Sequence, residues 1–164
     1  MDAESPIVRS VAWLYTIPQL LLMLGLGLVF WKLRLAREFG QGLLYSAIVY
    51  LIYSFGSKTI LLKHHKSGIS FLKLNQFREA ISAFQSSYSF LAKYSWIDKY
   101  RFLTMLDSSA VPYREMALCN IAFAHVQLEE TEEAQEHYKR TLAEFPESIM
   151  AKSSLDHLES GKRR

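Results

Sequence analysis

The chain has 164 residues, with 19 Lys and Arg against 16 Asp and Glu, and one cysteine. That length allows one domain plus something extra. The single Cys119 excludes an intrachain disulfide, and no basic face is concentrated enough to suggest nucleic acid.

The charge is unevenly placed. Residues 1–62 hold long apolar runs, while residues 63–164 carry most of the ionic side chains. From Ser10 to Trp31 there is no formal charge. Those residues would make about 33 Å of helix, enough to cross a hydrocarbon core of roughly 30 Å. Trp13, Tyr15 and Trp31 sit near the two ends, where amphipathic rings prefer to lie. Pro18 falls inside, and a bilayer helix tolerates it. The run is longer than a signal-peptide core and no A-x-A-like site follows, so we read it as an anchor.

Phe39 to Ser57 is also uncharged. At about 28 Å it is just long enough for a second span. Its Tyr45, Tyr50 and Tyr53 and its serines suggest that one face packs on the first span. A buried core helix of a soluble domain is the other reading. The short link Lys32–Glu38 predicts an antiparallel hairpin. Lys32, Arg34 and Arg37 in the link face Arg9, Lys58, Lys63 and Lys66 at the other end, a weak preference for cytoplasmic termini. No Gly/Pro-rich linker follows Ser57, so one nearly continuous helix is predicted from Leu43 to Leu74.

The rest of the chain contains an internal repeat. Gly68, Phe71, Ala80, Phe84 and Ser87 align with Ala122, His125, Ala134, Tyr138 and Thr141, and Pro146 closes the second unit. Small residues let two helices approach, and an aromatic one turn after an alanine fills the space between them. Asn75-Gln76 and Glu129-Glu130-Thr131 supply the turns. The units lie 54 residues apart, and Lys93–Val111 is an insertion. Trp96, Tyr100 and Leu103 keep helical spacing there, which predicts an extra or extended helix. Ser148–Ser160 reads as a closing helix that covers the last repeat.

This pattern resembles the tetratricopeptide repeat over about residues 61–92 and 115–148. Gly68, Phe71, Ala80, Phe84, Ala122, Ala134, Tyr138 and Pro146 match its core. His125 replaces the tyrosine, Ser87 and Thr141 the late alanine, and His64 and Leu118 occupy the tryptophan position. Together with the two apolar runs, the resemblance gives an expected all-α fold: a transmembrane hairpin over 1–62, then a two-repeat α-solenoid over 63–164 with an inserted and a closing helix. It also implies a partner groove lined by Leu62, His65, Ile69, Leu72, Met116, Cys119, Phe123 and Val126. The Lys/Arg and Asn that the family uses to clamp a chaperone's C-terminus are missing from that groove. An apolar groove suits an amphipathic helix. The inserted aromatic segment could instead fill it internally.

No chemistry-bearing constellation competes with this reading. His64 and His65 are adjacent and point about 100° apart on a helix, so they cannot share a metal. His125, His137 and His157 lack ligand spacing. No phosphate loop, HExxH or nucleophile elbow is present. The acidic run Glu129–Glu136 reads as a solvated helix start, with an acidic partner patch as the lesser reading. Lys162, Arg163 and Arg164 read as a solvated basic tail. The expected function is therefore non-enzymatic, without cofactor or small-molecule substrate: an adaptor or assembly factor that holds a protein partner at the bilayer. The alternative is a structural subunit of a larger membrane complex.

Overall fold

A computed structural model of the chain describes residues 15–161. Arg9, the Ser10–Leu14 portion of the first expected span, and the basic tail lie outside them. Nine helices form among the described residues, and no strand. They fall into two compact units that do not follow chain order. One comprises residues 63–95 and 111–161, and the other 15–62 and 96–110.

The first unit is the helical repeat. Its helices are α3 (Lys63–Lys73), α4 (Phe77–Lys93), α7 (Tyr113–Gln127), α8 (Thr131–Glu144) and α9 (Ile149–Gly161). Adjacent pairs pack as α3 on α4, α4 on α7, α7 on α8 and α8 on α9. The two predicted turns are built alike. Asn75 and Glu129 both adopt left-handed backbone, with φ of 56° and 62°. In the first turn the amide of Gln76 donates to the Phe71 carbonyl and that of Asn75 to Leu72. Glu130 and Glu129 do the same to His125 and Val126. This is the paired-bond stop that satisfies the last carbonyls of a helix. The turns are 54 residues apart, the same offset as the core positions.

Two buried clusters hold this unit together. Phe84, Ala80, Ala117 and Ile121 form the first, and Tyr138, Ala122, Cys119 and Ala151 the second. At Gly68 the approach is so close that an added methyl would stand 2.8 Å from the Phe84 ring. The late-alanine replacements Ser87 and Thr141 are both buried, and Thr141 Oγ1 donates to the His137 carbonyl one turn back at 2.8 Å. Pro146 lies exposed between α8 and α9.

The second unit contains the hairpin, α1 (Thr16–Lys32) and α2 (Phe39–Leu61), with α5 (Ser95–Lys99) beginning one residue ahead of it and α6 (Arg101–Thr104) wholly within it. Glycine sets the seam: a methyl on Gly42 would stand 2.5 Å from the Gly27 carbonyl oxygen. Such contact between backbones is how helices associate without a hydrophobic drive. Beside the seam, Phe30 meets Tyr45 edge-on at 6.3 Å. Of the most apolar stretch of α2, only 6 % is buried, and Leu51, Ile52 and Phe55 are exposed. That stretch is therefore not buried within the chain. Among the described residues, α2 alone is long and apolar enough to cross a membrane, by length and composition. α1, apolar but with 17 residues, is shorter than such a span.

Two expectations need correction. The helix predicted as nearly continuous from about Leu43 to Leu74 is interrupted at one residue, ending at Leu61 and restarting at Lys63. Leu62, buried, has φ −105° and ψ 18°, outside the helical range. The insertion is not one helix but two short ones divided at Tyr100 (φ −103°, ψ 32°). Its aromatic stripe is not the packed face. Trp96, Tyr100 and Leu103 are exposed, while Ile97, Asp98, Arg101, Met105 and Leu106 are buried.

Candidate functional site

The structure places the eight groove positions unequally. His65 and Cys119 are buried. Ile69 and Leu72 pack against the first cluster and Val126 against the second. Met116 and Phe123 are half-buried and sit two turns apart on α7, on one face.

His65 is held between two rings. Phe84 and Tyr113 each meet it edge-on at 5.2 Å. Its Nδ1 is buried and has no hydrogen-bond partner among the described residues. Burial pushes its pKa down to about 4, so the ring is neutral in the fold. Unfolded, it would titrate near 6.5. Below that pH the unfolded chain takes up a proton that the native state refuses. Stability therefore falls as pH drops from about 6.5 towards 4, by about 3 kcal/mol in all from this residue. Thermal unfolding of the full chain in detergent across that range should show the slope, and His65→Leu should remove most of it. An unchanged slope in the variant would refute the assignment. His137, whose pKa is also lowered by burial first, adds a smaller contribution of the same sign.

Cys119 is chemically quiet. Burial, and then the negative charge of Glu115, push its thiol up to about 12, and hydrogen bonds involving Ser148 and Thr141 offset this only in part. A thiol in that state is a packing group rather than a nucleophile.

Polar pairs missed by sequence reasoning tie the helices at their ends. Glu144 accepts from Tyr88 Oη at 2.7 Å and from Arg114 at 2.5 Å, joining α4, α7 and α8. Arg140 lies 4.9 Å above the Tyr88 ring. Glu130 pairs with His125 and with Arg78, each at 2.7 Å. The His125 hydrogen bond is the main reason its carboxyl sits below the usual range. These partners lie 30 or more residues apart, His125 excepted, so no local pattern announces them. Glu129, Glu132, Glu133 and Glu136 are exposed.

No group of three or more His, Cys, Asp or Glu suited to a metal occurs among the described residues. A comparison with known families identifies the second repeat. Residues 116–148 match the family model described as Tetratricopeptide repeat. The match supports a relationship to that family, which in general binds proteins and is non-enzymatic. It covers α7, the turn at Glu129 and α8. No curated protein and no solved structure matches the chain. The match thus suggests a role in protein–protein interaction.

Proposed function

We propose that this chain is a bilayer-anchored adaptor or assembly factor, in which α1 and α2 form a two-span hairpin and the repeat unit holds a protein partner. The observation that carries the reading is an apolar hairpin with its bulky side chains facing outward, in the same chain as a tetratricopeptide-type repeat. Exposed apolar surface of that extent is a liability in water, and lipid removes it. The count of cations near the span ends weakly favours a cytoplasmic repeat unit. Within the expected groove, Met116 and Phe123 offer the half-exposed pair that an amphipathic helix would meet.

Polar side chains in α2 would favour the alternative, a subunit packed among other spans. Yet Tyr50 donates to Gln19, and Tyr53 and Ser54 donate to carbonyls of residues 104 and 105. These groups are satisfied within the chain, so they do not call for foreign helices.

Two measurements on the full-length protein test the proposal. In native membranes it should stay in the pellet after alkaline carbonate extraction, and recovery in the supernatant would overturn the anchor. A photo-crosslinking residue at position 116 or 123 should yield one discrete protein adduct. Phe123→Glu should abolish the adduct formed from position 116 without changing Tm. No adduct from either position would sink the adaptor reading.

A further inference from the structure

The insertion presents an inside-out surface. Its buried face carries a carboxylate and a guanidinium, Asp98 at 1 % exposed and Arg101 at 6 %. Its outer face carries Trp96, Tyr100 and Leu103 at 56, 45 and 46 %. A helix folded against water places charge outward and bulk inward. Here two ionic groups lie inside beside Ile97, Met105 and Leu106, while three bulky, largely apolar groups face outward.

The backbone shows the same adaptation. Between Ile97 and Ala110, nine carbonyls accept hydrogen bonds from side chains. Gln19 serves Phe102, Tyr53 serves Thr104, Ser54 serves Met105 and Lys58 serves Leu106. Arg101 serves Asp98, Ser109 and Ala110. Asp107 lies 3.9 Å from the Lys58 ammonium. Water would satisfy such carbonyls without help. Hydrocarbon cannot, and irregular backbone survives at membrane depth only where protein supplies the donors.

Length points the same way. The insertion bonds to Gln19, in the first turn of α1. If head groups lay on the loop side of it, only Leu20–Lys32 would remain, about 20 Å of α1 to cross roughly 30 Å. With the insertion inside the bilayer, all of α2 serves, about 34 Å. We infer that residues 96–110 are a third membrane element, embedded in one leaflet beside the hairpin with Trp96, Tyr100 and Leu103 facing lipid. Lys99, exposed and 5.6 Å from the Tyr100 ring, reaches outward to lipid phosphate while its stem stays in apolar surroundings.

This inference rests on the anchor reading, and the test separates the two. The chain has three tryptophans, Trp13, Trp31 and Trp96. In full-length protein reconstituted into phosphatidylcholine vesicles, Trp13→Phe with Trp31→Phe leaves Trp96 as the reporter. Trp13→Phe with Trp96→Phe leaves Trp31. Lipids brominated on the acyl chain quench a ring within the bilayer, and acrylamide quenches one in water. The expected result is bromine quenching of Trp96 as strong as that of Trp31, with protection from acrylamide. Quenching of Trp31 but not Trp96 would overturn the inference and leave the hairpin anchored. That includes a Trp96 shielded from both quenchers, which would mean that protein covers it. If neither ring responds to bromine, the anchor falls and the inference with it.

Discussion

Replacing Phe84 with alanine should lower the unfolding free energy by about 3–5 kcal/mol, near the top of the range for a buried aromatic. The ring is fully buried, and its neighbours cannot close the hole. Gly68 has no side chain, and Ala80 and Ala117 have one methyl each, held on three different helices. His65 also loses the ring that packs on its edge. Urea unfolding in detergent would measure the loss, and a value under about 1 kcal/mol would mean that the repeat core is misassigned. A double-mutant cycle sharpens the test. Gly68→Ala drives a methyl into the Phe84 ring in the parent, yet finds room in Phe84→Ala. The two changes should therefore be less damaging together than their sum.

The second large effect concerns Arg101→Met, which keeps the apolar stem and removes every donor. The guanidinium bonds three carbonyls, at 3.1, 2.9 and 2.9 Å, with almost no exposure. Each orphaned carbonyl costs about 1–3 kcal/mol, so a total loss of at least about 3 kcal/mol is expected. The damage should be local to the second unit. Amide exchange should accelerate across residues 101–110 while α7 and α8 stay protected. Uniform loss of protection, or none, would contradict this. Arg101→Lys should rescue little, because one ammonium cannot reach three carbonyls set around a planar fork.

Much of the repeat was legible because its signals are local. An alanine followed four residues later by an aromatic, and a polar turn at the same offset, mark Ala80 and Phe84 and then Ala134 and Tyr138. His64 and His65 illustrate the limit. Sequence reading separated their directions by about 100°, and the structure exposes one and buries the other. It could not tell which ring would meet Phe84. The insertion was less legible. Trp96, Tyr100 and Leu103 keep helical spacing, but the break at Tyr100 divides the segment into two short helices that share no continuous face. The break at Leu62 left no trace either, since no residue from Ser57 to Lys63 is a helix breaker by itself.

The hairpin's polar donors have their partners far along the chain. Leu62 ends the hairpin, and Ala110 ends the segment that accepts from Gln19, Tyr53, Ser54 and Lys58. Synthesis at about 5–20 residues per second puts roughly 2–10 seconds between them. During that interval a newly made hairpin carries a lysine and an amide with no segment yet there to receive them. The nascent chain therefore has an assembly problem that the finished one conceals. The same geometry governs truncation. A fragment starting at Lys63 carries residues 96–110 without the side chains that cap the carbonyls of Phe102, Thr104, Met105 and Leu106, and one ending at Leu62 strands the donors. A cleanly separable repeat unit would require joining Ser95 to Val111 with a short polar link, and a cut at a single point in the chain cannot produce it.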